Sequence, residues 1–264
     1  MSAQSSTTLR IAELMQQSGV KFGTSGARGL SKDMTDQVCY AYTLAFLRYL
    51  MASGDIQQGD RVAVAGDYRP SSPRIMAAAI LAIRDAGCEP LNCGFIPTPA
   101  VALYGIQNRI ASLMVTGSHI PDDRNGIKFN TPAGEILKRD EQGISAAEVS
   151  IPAGRFDEQG RSLDPCSLPV EDDSAYRAYV QRYLDFFPPA CLAGLRIGVY
   201  EHSSVARRAL GGIFAALGAE VIKLGYSDTF IPVDTEAVRP EDVALAPSSA
   251  FSRALTRSHW DLRS

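Results

Sequence analysis

Ser118 stands in the segment Thr116-Gly117-Ser118-His119-Ile120-Pro121-Asp122-Asp123-Arg124-Asn125-Gly126-Ile127-Lys128, just past the apolar run Leu113-Met114-Val115. A serine at the end of a buried strand, with His119 beside it and Lys128 ten residues on behind an Asn-Gly turn, could be an oxygen nucleophile or a phosphate carrier. On composition alone the same segment fits a Gly/Pro/Asp loop leading into a hairpin. A second segment, Lys21-Phe22-Gly23-Thr24-Ser25-Gly26-Ala27-Arg28-Gly29, changes that balance. Its glycines recur at every third position, so its amides can approach an anion closely, and Arg28 adds a planar fork of donors suited to phosphate. It is neither the dinucleotide fingerprint nor a P-loop, because no Gly-Lys-Ser/Thr follows. Taken alone, it serves equally as a flexible turn or a phosphate cradle.

Acyl chemistry at Ser118 fits less well. A nucleophile elbow needs glycine two positions before and two after the serine, where this chain has Thr116 and Ile120. His119 is a poor triad base, because adjacent side chains in extended backbone point apart.

Together the two segments resemble the α-D-phosphohexomutase superfamily of phosphomannomutases and phosphoglucomutases. That family opens with a Gly-Thr-Ser-Gly-x-Arg-type loop and carries its phosphoserine in Thr-Ala-Ser-His-Asn-Pro…Asn-Gly-x-Lys. The order agrees, and so does the spacing of about ninety residues. Gly117 stands where alanine is usual, a mild change, and Ile120 where asparagine is usual, which leaves that asparagine's role unfilled.

The resemblance implies that Ser118 is phosphorylated in the resting state and passes its phosphoryl group to a hexose phosphate, forming a hexose bisphosphate. The bisphosphate turns over and returns its other phosphoryl group, so phosphate moves between O1 and O6, with mannose preferred over glucose. It implies Lys128 as general acid/base, with His119 and Arg28 on the phosphoryl group and Thr24, Ser25 and Arg28 on the substrate. A Mg²⁺ ion would bind Ser118 through its phosphoryl oxygen. The family's Asp-Gly-Asp-x-Asp-Arg metal loop, its Gly-Glu-x-Ser-Gly-His sugar segment and its Arg-x-Ser-Gly-Thr phosphate clamp do not occur in this chain. The expectation is therefore a truncated, inactive form with weak or absent Mg²⁺ binding. The alternative readings are a non-catalytic remnant that binds phosphate or a partner and, further off, a serine hydrolase.

The elements that must position these residues read as alternating strand and helix. Thr35 caps a helix to about Ser53, closed by Gly54, and Arg61 to Ala65 is a short strand. Ser72-Pro73 makes an N-cap and first turn for a helix ending at Gly87. Pro90 to Phe95 is a strand, Thr98-Pro99 opens a helix to about Asn108, and Ile127 to Lys138 is a hairpin around Pro132-Ala133-Gly134. This pattern predicts an α/β fold with helices on both sheet faces. A linker rich in Pro, Gly, Asp and Ser spans 152–173, and a helix follows with an apolar stripe at Tyr176, Tyr179, Val180, Tyr183, Leu184 and Phe187.

An internal echo then appears. Arg61-Val62-Ala63-Val64, Ser71-Ser72, Gly87, Gly94 and Pro97 are answered by Arg196-Ile197-Gly198-Val199, Ser203-Ser204, Gly218, Gly225 and Pro232. The expected architecture is repeated three-layer α/β/α domains with mixed sheets, the second incomplete. By residue number these are a phosphohexomutase domain I over 1–151, a linker over 152–173, a shortened domain II over 174–246 and a foreign tail over 247–264. The tail, rich in Ser and Arg after Pro247, reads as the product of a frameshift or premature stop.

Composition bounds the function classes. Hydrophobic content of 45% and charged content of 21% are those of a globular protein. A net charge of −3 without basic runs points away from nucleic acid, and no apolar stretch spans a membrane. The polar N-terminus and an odd number of cysteines, five, predict a cytoplasmic chain with reduced thiols. The three histidines lie far from Cys88 and Cys93, so zinc is not expected.

Overall fold

In the computed structural model, which describes residues 6–23, 26–118 and 120–232, the apolar runs become the strands of a seven-stranded sheet. The first part of the chain runs β1 (Ser6–Arg10), α1 (Ile11–Ser18), β2 (Lys21–Phe22), β3 (Gly26–Leu30), α2 (Asp36–Ser53), β4 (Arg61–Gly66) and α3 (Ser72–Asp85). It continues with β5 (Glu89–Phe95), α4 (Thr98–Asn108), β6 (Ala111–Val115), β7 (Arg124–Thr131), β8 (Gly134–Glu135), α5 (Lys138–Ser145) and β9 (Glu148–Pro152). The sheet order is β2-β3-β7-β6-β4-β5, with β8 paired to β7. β4 is parallel to β5 and β6, while β7 is antiparallel to both β6 and β3, so the sheet is mixed.

Strand alternation decides which residues face which helices. Val62, Val64, Leu113, Val115, Ile127 and Phe129 join one core with α2 and α3. α2 is buried from Val38 through Leu47 and again at Leu50, so it is apolar nearly all round. Ala63, Ala65 and Met114 turn to the opposite face, where Gly105 of α4 approaches so closely that an added Cβ would lie 2.9 Å from Ser112 Oγ. Helices thus cover both faces, α3 on one and α4 on the other.

That arrangement fixes a switch point. From β4 the chain crosses through α3 to β5 on one side, and then through α4 back past β4 to β6 on the other. Right-handed crossovers in opposite directions put the two helices on opposite faces, and the carboxyl ends of β4 and β6 form the switch point at which open α/β sheets bind ligands. The loops after these two strands, 67–71 and 116–123, meet there: the Asp67 amide donates to Val115 O at 2.9 Å.

Two local expectations shift. Ser72 does not cap α3; it is the helix's first residue, and its hydroxyl donates instead to Asp67 Oδ1 at 2.6 Å. The Asn125-Gly126 pair is not a turn but lies inside β7, with Asn125 fully buried and donating to Ser71 Oγ and Ser72 Oγ at 2.8 and 3.1 Å. The hairpin around Gly134 forms, but Lys138 opens α5 rather than ending the strand.

The chain divides into two compact units at Tyr176/Arg177. The boundary falls inside α6 (Ser174–Phe186), the predicted stripe helix, of which Ala175 is buried. The second unit contains β10 (Arg196–Tyr200), α7 (Arg207–Ala216) and β11 (Glu220–Leu224), with β10 and β11 parallel. The echo read from the sequence is therefore an echo of structure. β4-α3-β5 and β10-α7-β11 are both parallel β-α-β units, with Arg61 opposite Glu89 in one and Arg196 opposite Glu220 in the other. Gly87 and Gly218 end the two helices at φ 80° and 97°. The tail at 247–264 and the end of the expected second domain lie outside the described residues.

Candidate active site

Ser118 is exposed, and its backbone is left-handed, with φ 53°. A non-glycine residue in that region carries strain, and such residues cluster at functional sites. The loop around it is tied from within. Ser118 N donates to Thr116 Oγ1 at 2.9 Å, and Thr116 Oγ1 donates to Asp67 Oδ2 at 2.8 Å. Gly117 N reaches the same carboxylate oxygen at 3.2 Å. Ile120 N closes a turn on Gly117 O at 3.1 Å, so position 120 contributes main-chain structure where the asparagine of the resemblance is missing.

The sheet register sets Arg28 and Lys128 relative to this loop. On β3 and β7, Gly26 is opposite Lys128, Ala27 opposite Ile127 and Arg28 opposite Gly126. Ala27 and Ile127 belong to the α2/α3 core, so Arg28 and Lys128 leave the sheet together on the other face. Lys128 is half-buried and also opposite Met114 of β6. Arg28 lies across Gly126: a Cβ added there would be 3.0 Å from Arg28 Cγ. Gly126 O accepts from Thr116 N at 3.0 Å, so the serine loop departs from the strand beneath Arg28. Gly26 permits this register, since a Cβ on it would lie 2.0 Å from Ile127 O and 2.7 Å from Lys128 Cα. Ser118, Lys128 and Arg28 are thus gathered at the carboxyl end of β6, whereas Thr24, Ser25 and His119 lie outside the described residues.

Residue spacing did not mark out Asp67, and it offered Arg69, like Arg124, only as a weaker candidate, yet Asp67 and Arg69 both sit at the centre of this loop. Arg69 is 2% exposed and pairs with Asp67 through Nε–Oδ2 at 3.3 Å. Burial lowers the Arg69 pKa from its ordinary value, while Asp67, Asp122 and Asp123 act in the opposite direction. A signal was present in the sequence: Asp-x-Arg directly after the strand ending at Gly66, at the carboxyl end where open α/β sheets bind ligands. Gly117 is also more than a mild change, since a Cβ there would meet Arg69 Cζ and Nε at 2.4 Å.

Among the described residues, no group of three or more His, Cys, Asp or Glu side chains could hold a metal ion. These residues therefore do not fit the Mg²⁺ that the resemblance implies beyond the phosphoryl oxygen itself. No helix among the described residues is long and apolar enough to cross a membrane.

Comparison with known proteins identifies relatives of this chain and of its fold. Residues 19–150 match the family model for phosphoglucomutase/phosphomannomutase, alpha/beta/alpha domain I. A phosphomannomutase of Sinorhizobium fredii is 48% identical over 223 residues, which cover 83% of this chain and 46% of that protein. A phosphomannomutase of Salmonella muenchen is 41% identical over 230 residues, 87% of this chain and 45% of the relative. A phosphoglucomutase/phosphomannomutase family protein from Burkholderia thailandensis has a similar structure, with a TM-score of 0.57 at 25% identity over 76% of this chain and 43% of that one. The chain spans a little under half the length of the relatives it matches.

Proposed function

This chain belongs to the phosphoglucomutase/phosphomannomutase family, and from that premise we propose that Ser118 carries a phosphoryl group in the interconversion of hexose 1-phosphate and hexose 6-phosphate. The observation that carries the reading is the exposed Ser118, held left-handed at φ 53° at the carboxyl end of β6 with Arg28 and Lys128 on one neighbouring sheet face. A phosphoserine holds most of two negative charges, and Arg28 and Lys128 are cations placed to answer them.

In the proposed reaction a hydroxyl oxygen of the hexose phosphate forms a bond to phosphorus as the bond from phosphorus to Ser118 Oγ breaks. The hydroxyl proton passes by way of Lys128 Nζ to the departing serine oxygen. The hexose bisphosphate then presents its other phosphoryl group, and the same bonds form and break in reverse. Mannose is the preferred sugar, a choice supported by the two phosphomannomutases described above. Thr24, Ser25 and Arg28 are proposed to bind the substrate and His119 to contact the phosphoryl group. We place domain I at 1–151, a linker at 152–173 and domain II at 174–246.

The metal loop and sugar segment of the resemblance do not occur in this sequence, so this chain by itself is proposed to take up phosphate without sustained turnover. The test is intact-mass analysis after incubation with mannose 1,6-bisphosphate and Mg²⁺. One phosphoryl adduct is expected, mapped to Ser118 and lost in Ser118→Ala. A wild-type chain that takes up none, or an adduct that survives the substitution, overturns the reading.

A further inference from the structure

We propose that Arg69 is a positioning residue whose buried guanidinium gathers the main-chain carbonyls of the serine loop and so sets the backbone of Ser118. The inference rests on the reading of Ser118 as the phosphoryl carrier.

Loop carbonyls taken out of water need donors. Here one side chain supplies them. Arg69 Nη1 donates to Pro121 O at 2.8 Å and Arg124 O at 3.1 Å, while Nη2 donates to Ser118 O at 3.1 Å and Ile120 O at 2.7 Å. The guanidinium is rigid and planar, so its hold on four carbonyls constrains the main chain at Ser118, Ile120, Pro121 and Arg124 together. The charge is answered by Asp67, whose carboxylate also holds Thr116 Oγ1 and Gly117 N, on the other side of Ser118. The strained residue is therefore gripped from both flanks by one ion pair that belongs to the loop after β4.

Two consequences follow. With these carbonyls on its Nη atoms and 2% exposure, Arg69 is committed to the main chain of the loop and is not offered as a partner of the phosphoryl group. The space Arg69 occupies exists because residue 117 has no Cβ, so an alanine at 117 and the guanidinium exclude each other in this geometry.

The test uses the whole 264-residue chain with Arg69→Lys, Gly117→Ala and the double variant. Two measurements are made: residue-level amide exchange, and the rate of phosphoryl uptake at Ser118 against donor concentration. Lysine keeps the charge but not the fork. In Arg69→Lys, exchange at Gly117, Ser118 and Ile120 should rise at least about tenfold while β4 and β6 stay protected. The limiting uptake rate should fall by about tenfold or more at an unchanged half-saturating concentration. Gly117→Ala should reproduce both effects, and adding it to Arg69→Lys should change little, because the methyl group then has room. Loop exchange within about twofold of wild type in Arg69→Lys, or independent effects of the two substitutions, would overturn the proposal. So would loosening of β4 and β6 equal to that of the loop, which would make Arg69 a general core residue. If Arg69→Lys does not fold, Gly117→Ala, which keeps both Asp67 and Arg69, decides alone. A wild-type chain that takes up no phosphate would defeat the carrier reading and leave the exchange result to judge Arg69.

Discussion

Gly26→Ala should separate β3 from β7. A methyl group at this position would lie 2.0 Å from Ile127 O, 2.7 Å from Lys128 Cα and 2.8 Å from Ile127 C, all main-chain atoms that cannot swing aside. Ordinary contact begins at 3.4 Å, so the strands must part by more than about 1 Å at this end of their five-pair register. Hydrogen bonds stretched that far are lost. Two ladder bonds at about 1 kcal/mol each, with about 1–3 kcal/mol of residual crowding, give a loss of about 3–5 kcal/mol. For a unit of this size that corresponds to a fall in Tm of about 10 °C. Urea and thermal unfolding followed by circular dichroism would measure it, and amide exchange at Ala27 and Ile127 would localise it. The same displacement draws Arg28 away from Lys128, so phosphoryl uptake at Ser118 should drop even well below the transition. A loss under about 1 kcal/mol, with Ala27 and Ile127 still protected, would mean that the close approach at Gly26 does not set this register.

Asp67→Asn replaces a carboxylate that accepts from Arg69 N, Ser72 Oγ, Thr116 Oγ1 and Gly117 N and pairs with a buried guanidinium. The expected cost is about 2–4 kcal/mol in urea unfolding, and a change below about 0.5 kcal/mol would show that the network does not hold the loop. Asp140 accepts from Leu137 N and Tyr49 Oη, both at 2.7 Å. Its burial raises its pKa, but these hydrogen bonds and Arg139 outweigh that and hold it below the ordinary value. Its stabilisation is therefore present above the unfolded carboxylate range and fades as pH falls through the folded pKa. Asp140→Asn should cost about 1 kcal/mol at neutral pH and progressively less as pH falls through the folded pKa, and a pH-independent cost would refute the linkage. Burial pushes the Cys39 and Cys93 thiols up to about 12, whereas Cys191 is exposed. Iodoacetamide at neutral pH should label Cys191 at least about tenfold faster than either, as read by peptide mass mapping, and comparable rates in the folded chain would contradict that burial.

Much of this protein was legible along the chain. Alternating strands and helices, the caps at Thr35 and Gly54, and the repeated β-α-β unit all follow from local patterns that act within one element or between neighbours. Ser118, Lys128 and Arg28 were legible as candidates because the two segments set their residue types at fixed spacing. What spacing could not supply was the set of partners that hold them. Asp67 and Arg69 lie 51 and 49 residues before Ser118, and only the packing of β4 beside β6 brings their loops together. Likewise Asn125-Gly126 reads as a turn in isolation, but Ser71 and Ser72 satisfy Asn125 and keep the pair in β7. The sequence by itself determined which chemistry the loop could carry. The tertiary structure decided how that loop is held, because a buried guanidinium satisfies whichever carbonyls the fold sets around it, and those come from residues distant in sequence.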